Sequence, residues 1–321
     1  MMISIQRPTI SPQTIVWGLL ITNGFLIALM LALAKTATSQ GVPAVSYAFW
    51  QTFIAGSLLL STSQQRRTIF AGRLTRYFVI SGLTGIAVPN VIAFFLVTKL
   101  GSGFTGIMYA LPPIFTVLIA TRMGLEKRSR QRLFGLTLAV LACVWILWQR
   151  HSELNAANPL WFLLGLIIPA MLAIGNVYRS VAWPEHADAR TLAAGTLLVS
   201  AIVLGVFATL TDSSLIPAGL GTPMVGLMAL QGLLTAATYV CAFEVQRRAS
   251  PVFYSQLGAV AAVFGLIIGL VWFNETYSFA IWVGVAGVVL GLRLGNGQPR
   301  LASVKRASRI SSDKSASHTP H

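Results

Sequence analysis

Charge is what this sequence has least of. Only 10% of its 321 residues are Asp, Glu, Lys or Arg, against about 25% in a soluble globular domain. Two cysteines, Cys143 and Cys241, both lie in apolar runs, so they read as small core residues and exclude a disulfide framework. Four histidines, His151, His186, His318 and His321, fall in connections or the tail, with no spacing that would hold zinc. A phosphate-binding loop of the GxxxxGK[ST] kind is absent, which excludes direct drive by ATP through that motif. The net charge of +15 does not point to nucleic acid. Such binding needs cations gathered on a folded soluble surface, and these sit in short gaps between apolar runs.

What the chain does have is apolar length. It is 55% hydrophobic, with a mean hydropathy of +0.74. Crossing the hydrocarbon of a bilayer takes roughly 20 predominantly apolar residues. Ten runs free of Asp, Glu, Lys, Arg and His meet or approach that length: Thr14–Ala34, Pro43–Thr62, Phe78–Thr98, Leu100–Thr121, Leu133–Gln149, Leu160–Tyr178, Thr191–Thr211, Thr222–Phe243, Pro251–Asn274 and Thr276–Leu292. Continuous runs fit helices and not the short alternating strands of a membrane barrel. The first is too long for the core of a signal peptide and is expected to stay as a span. With a cytoplasmic N-terminus, twenty of the 23 cations fall on the cytoplasmic side and three, Lys35, Lys99 and Arg150, on the other. Cytoplasmic loops retain Lys and Arg, so both termini are expected inside.

The runs repeat. GLEKRSRQRLFG, from Gly124, and FNETYSFAIWVG, from Phe273, share a glutamate, eight residues and a glycine at an offset of 149. The same offset pairs Phe104 with Phe253, Ala110 with Ala259 and Phe115 with Phe264, while 144 pairs Trp17 with Trp161 and Lys35 with Arg179. Five spans duplicated would enter the membrane in opposite senses, as in many transporters. Glu126 is then cytoplasmic and Glu275 outside. The cations Lys127, Arg128, Arg130 and Arg132 of the first copy have no counterparts between Glu275 and Gly284, as an outward loop requires.

This pattern resembles the drug/metabolite transporter superfamily, specifically its EamA-like members. The resemblance covers about Thr14 to Leu294, and YALPPIFTVLIA, Tyr109 to Ala120, looks like the family's proline-interrupted fourth span. The ninth span departs from it, with Ala261 and Ala262 where Pro112 and Pro113 stand. The resemblance implies an all-α membrane protein of ten transmembrane helices in two inverted five-helix repeats, 14–149 and 160–294. A cytoplasmic segment 1–13, an outer connection 150–159 and a disordered basic tail 295–321 complete the chain. It further implies a multi-pass protein of a bacterial inner membrane that carries a small organic metabolite by alternating access, in the export direction, with no cofactor. An uptake carrier, a membrane-embedded enzyme and a non-transporting scaffold are the alternatives. An enzyme would want acids, histidines or a nucleophile–base pair at one depth, and the spans hold no acid or histidine. The expected partners are the solute and the lipid bilayer; a homo-oligomer is compatible with the pattern.

Neutral polar residues at mid-span, Asn23, Gln51, Asn90, Asn176, Gln231, Tyr239 and Gln256, either bond helix to helix or line a wet cavity. Asn90 falls on Tyr239 at the 149 offset, and Pro89 beside it frees a backbone carbonyl one turn earlier. In the resembling family spans one to four and six to nine surround the cavity. That makes Asn23, Gln51, Asn90, Tyr109, Asn176, Tyr239 and Gln256 the candidate substrate contacts. Lys35, Lys99, Arg179 and Arg248 sit at span ends, where they either snorkel to the interface or draw anionic solutes to each mouth. Glu244, three and four residues before Arg247 and Arg248, is set for helical salt bridges. Glu126 and Glu275 are expected to be turn residues that accept from backbone N–H groups at a helix start.

Overall fold

The structure is a computed structural model that describes residues 11–65, 72, 74–93, 95–96, 108–126, 129–150, 159–211, 213–216 and 221–295. Lys99, the N-terminal ten residues, the 151–158 connection and the tail beyond Gly295 lie outside the described residues.

Every regular element among the described residues is helical. In chain order they are α1 (Pro12–Ser39), α2 (Ala44–Thr62), α3 (Thr75–Ala93), α4 (Met108–Arg122), α5 (Arg130–Arg150), α6 (Ile167–Val181, preceded by the short helix Pro159–Gly165), α7 (Ala189–Leu210), α8 (Thr222–Arg248), α9 (Pro251–Trp272) and α10 (Phe279–Gly295). Local chemistry sets several starts. Ser11, Asp188 and Ser250 cap α1, α7 and α9 by accepting from Thr14, Thr191 and Phe253 backbone N–H groups. Prolines stand in the first turns of α1, α8 and α9, where their missing N–H costs nothing.

Among the described residues seven helices, α1, α2, α3, α7, α8, α9 and α6 extended back to Leu163, are long and apolar enough to cross a membrane. α4 and α10 are apolar but shorter. α10 starts late because Thr276 to Ser278 are non-helical. Large side chains face outward, among them Leu210 at 77% exposure and Val271 at 75%. Small ones fill much of the interior; on α7, Ala193, Ala194 and Ala201 are buried beside Leu192 and Leu197. A greasy exterior around a small-residue interior suits lipid as the solvent.

The packing has an internal two-fold. α2 packs on α7 and α5 on α10, each helix meeting its own repeat counterpart. α1 packs on α9 as α6 packs on α4, α1 on α8 as α6 on α3, and α2 on α8 as α7 on α3. Exchanging the halves therefore maps the first two interfaces onto themselves and each of the others onto its mate. The α5–α10 contact is backbone against backbone: a Cβ on Gly135 would stand 2.2 Å from the Gly295 nitrogen.

The repeated glutamates end equivalent turns. The Glu126 N–H donates to the Ala120 carbonyl at 3.4 Å, and the Glu275 N–H to the Gly269 carbonyl at 3.0 Å. Each bond spans six residues and takes up a carbonyl left over at the end of the preceding helix. This differs from the expected capping of the following helix: the backbone serves the helix before, and the carboxylates take cations. Glu126 pairs with Arg132, six residues on. Glu275 reaches instead to Lys35 of the other half, at 2.6 Å.

Candidate functional site

α3 is not a regular helix. Leu83–Ala87 forms a π-turn, in which the Val88 N–H donates to the Leu83 carbonyl. Pro89 follows directly. A proline has no N–H for the carbonyl four residues back and its ring crowds that group, and a widened turn relieves both problems without breaking the helix. The carbonyl four residues before Pro89 belongs to Gly85. Against Gly85 lies the guanidinium of Arg179 from α6: a Cβ there would stand 2.1 Å from its Nη1.

Arg179 is 6% exposed and, among the described residues, the only buried lysine or arginine. It does not snorkel to a surface. Gly85 is ten residues along α3 from Thr75, about 15 Å at 1.5 Å per residue. Nε donates to Gln246 Oε1 at 2.9 Å, Nη2 to Asn176 Oδ1 at 2.9 Å, and Nη1 to the Ser81 carbonyl at 3.4 Å. Its Cζ lies 6.0 Å from the Phe243 ring centroid. No carboxylate among the described residues is within ion-pair distance. Holding arginine at the centre of a membrane helix costs about 2.5–3.5 kcal/mol on insertion scales, so neutral acceptors alone offset this charge.

Three tyrosines, Tyr77, Tyr239 and Tyr254, lie near enough to the guanidinium to feel its charge. Tyr239 is also within reach of Tyr109, whose hydroxyl donates to Asn90 Oδ1 at 3.2 Å. Tyr109, Tyr239 and Tyr254 are each only partly buried although they lie deep among the helices. Successive Pro112 and Pro113 leave the Met108 and Tyr109 carbonyls without their helical donors, and the Tyr109 carbonyl lies 3.4 Å from where a Cβ on Gly258 would stand. The cluster thus draws on α3, α4, α6, α8 and α9, from both halves.

The other expected contacts lie elsewhere. Asn23 is fully buried between α1 and α8, where its amide can donate to the Thr238 carbonyl at 3.1 Å and accept from the Ala242 N–H at 3.2 Å. Gln51 accepts from Gln231 Nε2 at 2.8 Å, joining α2 to α8. Gln256 sits at the break within α9, beside a small apolar cavity lined by Pro113, Cys143 and Leu292. Arg248 and Arg247 both bond Glu244, at 2.8 and 2.9 Å. Lys35 is exposed and lies 4.1 Å from the Phe273 ring centroid. Sequence reasoning did not single out Gln246 or Tyr254 for the cluster. Gln246 is hidden by the charges around it near the end of α8, and Tyr254 by its place as the fourth residue of α9.

Residues 14–148 and 159–296 each match the profile of the EamA-like transporter family. No curated protein matches. One solved crystal structure superposes with a TM-score of 0.73 over 87% of this chain and 95% of its own, at 18% identity. That likeness shows the fold alone.

Proposed function

Because the chain belongs to the EamA-like transporter family, we propose that it is a secondary transporter exporting a small amphipathic or amino-acid-like metabolite by alternating access. In this reading ten spans cross a bacterial inner membrane with both termini in the cytoplasm. The observation that carries it is the cluster of Asn90, Tyr109, Tyr239, Tyr254 and Arg179, contributed by both halves of a two-fold bundle. Transporter sites lie at such repeat junctions. Neutral polar groups and aromatic rings suit a solute with a polar end and an apolar body.

Purified protein in liposomes loaded with a cell metabolite extract tests this, with efflux followed by mass spectrometry. Selective, saturable loss of particular solutes is expected. Chemical conversion without flux would favour a membrane-embedded enzyme, and neither flux nor conversion a scaffold. Net accumulation against the imposed gradient would reverse the direction to uptake.

A further inference from the structure

Arg179 carries an inference that deepens the transport reading and rests on it for the route by which a ligand arrives. Its guanidinium has five N–H donors, of which three are used, on Gln246, Asn176 and Ser81. The Gln246 amide that fixes Nε has its own Nε2 buried without a partner. Unused donors therefore remain on two hydrogen-bonded side chains of α6 and α8, in a region where no described carboxylate pairs with the arginine. A cation fixed by neutral acceptors keeps its full charge for an incoming anion, and a guanidinium presents a fork matched to a carboxylate.

We propose that Arg179, oriented by Gln246 and Asn176, binds the carboxylate of a monoanionic organic solute inside the bundle. The one buried cation among the described residues sets the charge, because a dianion such as a phosphate ester would keep half its charge uncompensated. The partly accessible rings of Tyr239 and Tyr254 within its electrostatic reach set the rest of the ligand, an aromatic or aliphatic body.

The test uses the purified full chain in detergent and three probes: 3-phenylpropionate, its neutral amide, and inorganic phosphate. The carboxylate should raise the melting temperature saturably, the amide should not, and phosphate should act only at much higher concentration. Arg179→Gln should weaken the apparent affinity about 10- to 100-fold, the range for hydrogen bonds to a charged partner. Arg179→Lys, which keeps charge without the fork, should fall between. Arg190→Gln, on an exposed residue, should match the parent. If Arg179→Gln does not fold, Arg179→Lys and Gln246→Met give the same reading. No response to 3-phenylpropionate, an equal response to the amide, or unchanged affinity in the Arg179 variants overturns the site. Phosphate binding as tightly as the carboxylate overturns the ligand class. The liposome experiment separates this from the transport reading: flux with no Arg179-dependent binding leaves transport standing, and binding with no flux leaves the site standing.

Discussion

The ammonium of Lys35 on α1 lies 2.6 Å from the carboxylate of Glu275 after α9, tying together halves 240 residues apart in sequence. The repeat maps Lys35 onto Arg179 and Glu275 onto Glu126. The mirror contact is not made, since Arg179 bonds Gln246 and Asn176 while Glu126 bonds Arg132. One end of the bundle is therefore pinned across the halves by an ion pair whose repeat counterpart is not formed. In the proposed orientation the pinned end faces outward.

The two glutamate pairs should differ in their worth to stability. Side-chain exposure is 56% and 22% for Lys35 and Glu275, but 17% and 3% for Arg132 and Glu126. An exposed pair contributes about 0.2–1 kcal/mol, whereas stranding a buried charge costs about 3 kcal/mol or more. Arg132→Ala should thus lower the melting temperature clearly and Lys35→Ala barely. Equal shifts in the two purified variants would refute the ranking.

If the Lys35–Glu275 pair holds one end shut, reversing one charge should open it. Ile268 packs against Ala28 and Ala32 between α9 and α1, so a cysteine there reports on that seam in a background lacking Cys143 and Cys241. Its alkylation from outside should be faster in Lys35→Glu and return to the parent rate in Lys35→Glu with Glu275→Lys. A rate indifferent to both changes would sink the gating role.

The fold was legible because lipid imposes a coarse code: apolar length, cation placement and the glutamate–glycine repeat all survive as sequence. Pro89 also announced the irregularity of α3, although not that it would take the form of a π-turn. Arg179 was the obscure part. Near the end of an apolar run, arginine ordinarily reaches for the interface, and nothing local to α6 reveals that Gly85, 94 positions earlier, opens a place for it inside. The partner of Glu275 was equally hidden, because an ion pair across 240 residues leaves no spacing to read.

Asn23 and Tyr239 should separate packing from binding. Asn23 bridges α1 and α8 while fully buried, so Asn23→Ala should destabilise by about 1–3 kcal/mol and leave solute affinity near the parent's. Tyr239→Phe removes a hydroxyl from a partly accessible ring. It should leave the melting temperature alone and weaken transport several-fold, the worth of one neutral hydrogen bond at about 0.5–1.5 kcal/mol. The reverse assignment of effects would exchange their roles.

Orientation has a direct check. Gln131 and Thr276 are exposed and follow the two repeated glutamates, yet the inverted arrangement puts them on opposite sides. A cysteine at Gln131 should react with an impermeant thiol reagent only from the cytoplasm, and one at Thr276 only from outside. Labelling of both from the same side of intact cells would rule out inversion.

Gly85 offers the narrowest test of how Arg179 is held. A methyl group there would stand 2.1 Å from Nη1, closer than any real contact, so Gly85→Ala must push the guanidinium away or distort the π-turn. The residue sits in a helix, where alanine is intrinsically favoured over glycine by about 1 kcal/mol. That gain opposes the steric loss, so the variant should fold with a melting temperature within a few degrees of the parent. Displacement of Arg179 should nevertheless weaken binding of 3-phenylpropionate about tenfold or more, because a charge-assisted fork depends on its geometry. Gly226→Ala serves as the control: it lies in α8, and an added Cβ meets nothing within 4 Å. Parent-like affinity in Gly85→Ala would mean that the cradle at the π-turn does not position the arginine for its ligand.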